Sequence, residues 1–161
     1  MATDLYFDDL HVGDKFTTDS HEVSREDILR FAREFDPQPF HVDEEAARDT
    51  LFGGLAASGW HTAAITMRLL VRSGPRLAGG IIGAGGDVEW KVPTRPGDVL
   101  HVESEVAELV PSRSRPERGL LVLRSRTINQ RGETVQTSAA RLLLPRRPHA
   151  AAHAAPAHCE A

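Results

Sequence analysis

The spacing of apolar residues predicts a helix in the segment that follows Ser24. Apolar side chains recur there every three or four residues, which places them on one helical face that packs against a core. Ser24 with an acid three residues later is a near match to a capping box, a common helix start. Pro37 disfavours helical dihedrals in the residue before it, so the helix should end near Phe35. The apolar residues are Ile28, Phe31, Ala32 and Phe35.

Two further helices are predicted before the chain changes character. Residues 43–48 begin with acids, which favour the first turn of a short helix. Residues 60–71 are largely apolar and contain no proline, so we expect a helix that is buried on most sides. The sequence Ser-Gly-Pro at 73–75 is typical of a helix end.

From residue 81 onward the pattern is that of β-strands. Alternating polar and apolar residues predict half-buried strands, and Asn-Gln-Arg-Gly at 129–132 is a hairpin turn signal. The glycines of residues 83–86 suggest a turn or bulge where the first of these strands begins. Several long strands after one long helix indicate an α+β fold, an antiparallel sheet with helices on one face. The predicted strands cover residues 16–23, 87–92, 99–110, 120–128 and 133–144.

The composition is that of a one-domain globular protein. The chain has 161 residues, 40% of them hydrophobic and 26% charged, and a formal net charge of -4. Interspersed charges without a basic stripe argue against a nucleic-acid partner, and no apolar run approaches the ~20 residues that span a membrane. The single cysteine, Cys159, and the absence of a secretory pattern favour the cytoplasm. We expect one domain at residues 1–146 and a flexible Ala/Pro/His-rich tail at 147–161.

The segment Phe-Asp-Pro-Gln-Pro-Phe-His at 35–41 is the strongest candidate for chemistry. It places the carboxylate of Asp36 and the imidazole of His41 five positions apart, in a loop between two predicted helices that two prolines stiffen. A fixed carboxylate and imidazole can share one water molecule and move its proton and oxygen. Taken alone, an Asp such as Asp36 is more often a loop cap, and a His such as His41 is more often a structural histidine. Their occurrence together with Pro39, Asp43 and Gly59 favours a catalytic role for the pair.

The start of the long helix is a second candidate. Its first N–H groups have no partner within the helix and lie at the positive end of the dipole. With Gly59 there, a ligand oxygen can come close, so this N–H can bind a thioester carbonyl that becomes enolate-like. Ser58 is a natural N-cap and lacks the Gly-x-Ser-x-Gly frame of a nucleophile. The glycines at 83–86 fail the dinucleotide pattern, because Val88 occupies its sixth position.

These residues together resemble the MaoC-like dehydratases and (R)-specific enoyl-CoA hydratases. The resemblance rests on residues 31–43, on Phe-Gly-Gly at 52–54, on Ser-Gly at 58–59 and on residues 88–98, and it extends over residues 8 to 145. It implies a hot-dog fold, in which a sheet wraps around the long helix. It also implies that Asp36 and His41 are the catalytic pair and that the Gly59 N–H polarises the thioester carbonyl.

The sequence departs from the family's motif next to these positions. Gln38 stands where the family has Asn, and Ser58 where it has His before the glycine. Trp60 is bulky and follows the glycine, so we hypothesise that it shortens the acyl pocket. Arg95, in the Pro-Thr-Arg-Pro turn, is a candidate contact for cofactor phosphates. With Ser58 and Gln38, these two residues form the predicted substrate-binding set.

The resemblance implies a hydro-lyase that adds water to a 2-enoyl thioester, or removes it from a 3-hydroxyacyl thioester, of coenzyme A or a carrier protein. It also implies a homodimer or a dimer of hot dogs, and no metal or redox cofactor. A hot-dog thioesterase is an alternative, but it usually needs an acid on the central helix, and residues 62–70 contain no Asp or Glu. A non-catalytic acyl-binding subunit is another, against which the presence of both Asp36 and His41 argues.

Overall fold

The computed structural model describes residues 3–148, which form an α+β domain as the sequence predicts. The antiparallel sheet has six strands. Five follow the order β1-β4-β5-β6-β3, and β2 pairs with the first two residues of β4. A single 3-10 turn at Phe7–Asp9 precedes the sheet. The strands are β1 Lys15–Thr17, β2 His21–Glu22, β3 Ile82–Trp90, β4 Val99–Pro111, β5 Arg118–Ile128 and β6 Thr134–Pro145. The helices are α1 Arg25–Phe35, α2 Pro39–Val42, α3 Glu44–Arg48 and α4 Gly59–Ser73.

Strands β4, β5 and β6 follow the predicted ones closely, whereas β3 begins at Ile82, well before the predicted start at residue 87, and is exposed along its whole length. In β4 the residues that point toward the helices are buried, and the residues between them are less so. The glycine segment of β3 does contain a bulge, between Gly83 and Gly85, where the register against β6 shifts. Gly86 is needed for close approach, because a β-carbon there would lie 2.5 Å from the Ala139 carbonyl oxygen. The single strand predicted at 16–23 is instead two short strands, β1 and β2.

Helix α4 packs across one face of the sheet. Ile65, Leu69 and Leu70 join residues of β4 and α1 in one buried cluster, and a second cluster lies at the other end of the sheet. The opposite face of α4 is open in the single chain, where Met67 and Val71 are exposed. The expectation of a helix buried on most sides is therefore wrong for one chain alone.

Local capping explains where the shorter helices begin. The Ser24 hydroxyl accepts the N–H of Asp27, and the Asp43 carboxylate accepts the first N–H groups of α3. The single turn α2 lies inside the segment that we expected to be a loop, and Pro39 occupies its first position, where proline is favoured.

The C-terminal part of the chain is described as far as Pro148. Arg147 forms an ion pair with Asp9 at 2.9 Å, so the described part of the predicted tail contacts the domain. Residues 149–161, with Cys159, lie outside the described residues. No helix within residues 3–148 has the length and apolar character needed to cross a membrane.

Candidate active site

Asp36 and His41 come together because one helix ends and the next begins between them. Asp36 is the C-cap of α1, and its N–H donates to the Ala32 carbonyl at 2.8 Å. Pro39 then starts α2, and the His41 N–H donates to the Gln38 carbonyl at 2.9 Å. The two prolines thus limit the backbone of the connection that sets the distance between acid and imidazole.

Both oxygens of the Asp36 carboxylate accept hydrogen bonds. The Gln38 amide donates to Oδ1 at 2.7 Å, and the Ser58 hydroxyl donates to Oδ2 at 2.7 Å. Partial burial by itself raises the pKa of Asp36, but these two hydrogen bonds and the nearby His41 outweigh it, so the pKa lies below its ordinary value. Asp36 is therefore an ionised acceptor at neutral pH.

The His41 ring is held in place by a hydrogen bond at its Nδ1. Its Nδ1 lies 2.7 Å from the Ala56 carbonyl oxygen, and since a carbonyl only accepts, Nδ1 carries the hydrogen. Its Nε2 faces Asp36 Oδ2 at 3.5 Å, longer than an ordinary N–H···O hydrogen bond. The side chain is 5% exposed. In neutral His41, Nε2 is thus a free acceptor next to a carboxylate, an arrangement that suits a shared water molecule.

Gly59 begins α4, as predicted, and its N–H donates to no group among residues 3–148. The structure adds a reason for this glycine that sequence reasoning missed. A β-carbon on residue 59 would lie 2.5 Å from Trp90 Cε2, so only glycine fits beneath the indole. The indole is itself fixed, because its Nε1 donates to Gln136 at 3.0 Å.

His41 and Gly59 line the same cavity, which has a volume of about 330 Å³. Buried residues, among them Thr62 and Thr94, form its floor, and the exposed Trp90 is part of its rim. Asp36 is not on the lining, but its Oδ2 lies 3.5 Å from Nε2 of His41, which is on the lining. A larger depression of about 740 Å³ lies over the outer face of the sheet and contains none of the predicted site residues.

Comparison with known proteins identifies the family of the chain. The family model described as a MaoC like domain matches residues 9–120. The chain belongs to the MaoC-like dehydratase family. A solved MaoC-like dehydratase from Rhodospirillum rubrum is 62% identical, with a TM-score of 0.88 over 89% of this chain and 99% of that one. The hot-dog fold is thereby confirmed.

Two curated relatives are named as a dehydratase and a hydratase of coenzyme A thioesters. One, named 3-hydroxybutyryl-CoA dehydratase, is from Methylorubrum extorquens and is 38% identical over 69% of this chain and 69% of its own length. The other is named (R)-specific enoyl-CoA hydratase, from Rhodospirillum rubrum. It is 31% identical over 88% of this chain and 93% of its own length.

In this MaoC-like chain, Arg95 is directed at the protein itself. Its guanidinium donates to the carbonyls of Gly54 at 2.9 Å and Leu55 at 3.2 Å, and to that of Phe52. It therefore holds the loop that leads into the cavity wall. Both terminal nitrogens are used in these bonds, so the geometry does not favour the predicted contact with cofactor phosphates.

The structure corrects the hypothesis for Trp60. This side chain is 63% exposed and is not among the residues that line the cavity. It packs edge-on against Trp90, with ring centroids 5.3 Å apart, and Trp90 is the indole at the cavity. The residue after the glycine points outward because it lies on the face of α4 opposite the core.

His61, in the first turn of α4, is buried. Its ring stacks on Phe31 with centroids 4.7 Å apart, and burial lowers its pKa. It therefore contributes to the contact between α1 and α4, the two helices that carry Asp36 and Gly59 at their adjoining ends.

Proposed function

We propose that this protein is a hydro-lyase that hydrates a 2-enoyl thioester of coenzyme A, or dehydrates the corresponding 3-hydroxyacyl thioester. The observation that carries the proposal is the 3.5 Å approach of His41 Nε2 to Asp36 Oδ2, beside a cavity that His41 and Gly59 both line. The names of the two curated relatives support coenzyme A as the carrier. A carrier-protein thioester has the same reacting atoms.

In the proposed reaction the thioester carbonyl oxygen accepts a hydrogen bond from the Gly59 N–H. Asp36 and His41 hold one water molecule between them, and His41 Nε2 takes its proton. The hydroxyl adds to C3, the double-bond electrons move toward C2 and the carbonyl, and a proton from the pair reaches C2. One water is consumed and one C=C bond is lost. Dehydration is the reverse, and since only protons and hydroxyl move, we keep the prediction that no metal or redox cofactor takes part.

The proposal includes a homodimer. Strand β3 is at the edge of the sheet, so one side of its backbone is unpaired in the single chain. All nine of its residues are exposed. The apolar outer face of α4, with Met67 and Val71, is exposed as well. A second copy that pairs at β3 and covers α4 would bury both. The prediction of a cytoplasmic location rests on the single cysteine and forms part of this proposal.

The alternative of a thioesterase is less well supported by the geometry. Helix α4 carries no Asp or Glu, and the cavity lining contains none either. The Asp36 carboxylate lies 3.5 Å from His41 Nε2 and is not part of the cavity lining.

Crotonyl-CoA tests the proposal. We expect its enoyl absorbance to fall without release of free thiol, whereas a thioesterase releases thiol. Asp36→Asn and His41→Gln should each reduce kcat/KM by roughly 10² to 10⁴-fold. Asp87→Asn and His101→Gln change the same residue types on the sheet and serve as controls. Equal turnover by the Asp36 variant and the parent would instead favour acyl binding or another residue as the catalyst.

A further inference from the structure

Ser58 is completely buried and makes two hydrogen bonds that reach in different directions. Its hydroxyl donates to Asp36 Oδ2 at 2.7 Å. The same oxygen accepts the N–H of Trp60, in the first turn of α4, at 3.3 Å. Ser58 therefore links the end of α1, which carries the acid, to the start of α4, which carries the Gly59 N–H.

The Ser58 hydroxyl has one hydrogen, which it donates in the hydrogen bond to Asp36. Ser58 thus acts on the carboxylate rather than on a thioester, which differs from the substrate contact expected from the sequence. Gln38, which holds the other carboxylate oxygen, is exposed, so water can replace its amide. Water cannot replace the Ser58 hydroxyl in the same way, because no part of that residue reaches solvent.

We propose that Ser58 is a positioning residue that ties the Asp36 carboxylate to the start of α4, so that the acid–base pair and the Gly59 N–H keep one fixed spacing. This inference rests on the proposed function. The substrate has to meet both elements at once, with its carbonyl at Gly59 and its C3 at the water molecule. Displacement of either by about 1 Å lowers the rate of such a reaction by up to 10²-fold.

The test compares three variants with the parent. Ser58→Ala should lower kcat with crotonyl-CoA roughly tenfold to a hundredfold with little change in KM, since the carboxylate loses its alignment while the cavity keeps its shape. Ser58→Thr keeps the hydroxyl and should recover most of the rate. Ser24→Ala is the matched control, because Ser24 is also an N-cap serine but has no contact with Asp36. It should lower the melting temperature and leave kcat unchanged.

A second measurement does not depend on turnover. The Asp36 side-chain carbon can be titrated by NMR, with Asp36→Asn to assign its signal. Loss of the Ser58 hydrogen bond should raise the pKa of Asp36 in Ser58→Ala, and Ser58→Thr should restore it. The proposal is overturned if both kcat and this titration are the same in Ser58→Ala and the parent. If the parent hydrates no enoyl thioester, the proposed function fails, while the titration still decides whether Ser58 holds the carboxylate.

Discussion

Trp90 covers Gly59 so closely that a β-carbon on residue 59 would lie 2.5 Å from the indole Cε2. The contact joins the first residue of α4 to the last residue of β3, and it lies at the rim of the candidate active site. The indole does not yield easily, since its Nε1 donates to Gln136 on the neighbouring strand. Gly59, whose N–H we propose binds the thioester carbonyl, is therefore also the residue that the position of this ring requires.

Gly59→Ala should destabilise the fold by about 1–3 kcal/mol, the usual cost of overpacking, and reduce hydration of crotonyl-CoA. Urea unfolding measures the first effect. Gly83→Ala is the control, because a β-carbon there meets nothing within 4 Å. Trp90→Ala should relieve the strain, so the double variant Gly59→Ala/Trp90→Ala should lose less stability than the sum of the single variants. Additive losses would contradict the contact.

This contact shows where prediction from the sequence ends. Local signals predicted the start and end of α1 and α4, the strands β4 to β6, and the nearness of Asp36 to His41, because caps, prolines and alternation act over a few residues. The meeting of Trp90 with Gly59 depends on how β3 pairs with β6 and where α4 crosses the sheet. No local pattern encodes that geometry.

The same reason explains the misassigned side chains. Arg95 was predicted to contact cofactor phosphates, but it meets the carbonyls of residues 52–55, which tertiary folding brings to it. Trp60 was assigned to the pocket because it follows Gly59 in sequence, although the next residue of a helix points about 100° away. In both cases chain position was a poor guide to which side chain reaches the cavity.

Gln38→Ala tests the electrostatic setting of Asp36. The amide stabilises the ionised carboxylate, so its removal should raise the pKa of Asp36. The acidic limb of the kcat/KM profile should then move to higher pH, with a loss of roughly fivefold or less at neutral pH. Asp36 stabilises the fold above its unfolded pKa, and this stability is lost as pH falls through the folded value. In the variant the contribution should be smaller and its loss should be complete at a higher pH.

The control for this experiment is Gln130→Ala. Gln130 is likewise an exposed glutamine that donates to a carboxylate, but the acceptor is Asp98, in the turn before β4. Its pH profile should match that of the parent. An unchanged acidic limb in Gln38→Ala would show that Gln38 does not influence the reacting carboxylate.

Arg95→Lys distinguishes the two roles considered for this residue. A lysine cannot reach three carbonyls at once, so the loop at 52–55 should loosen, at a cost of about 2 kcal/mol in unfolding free energy. KM for crotonyl-CoA should change little. A raised KM with unchanged stability would instead favour the contact with cofactor phosphates. Arg115→Lys, the same substitution at an exposed arginine of the β4–β5 loop, is the matched control and should change neither stability nor KM.

Met67→Glu tests the proposed dimer. Met67 lies on the outer face of α4, where the single chain leaves it 47% exposed, and a carboxylate there would be buried against the second copy without a partner. Light scattering should give the mass of two chains for the parent and a shift toward one for the variant. Val12→Glu alters an exposed apolar residue away from α4 and β3 and should leave the mass unchanged. A parent that is already a single chain would show that the open edge of β3 and the apolar face of α4 serve some other contact.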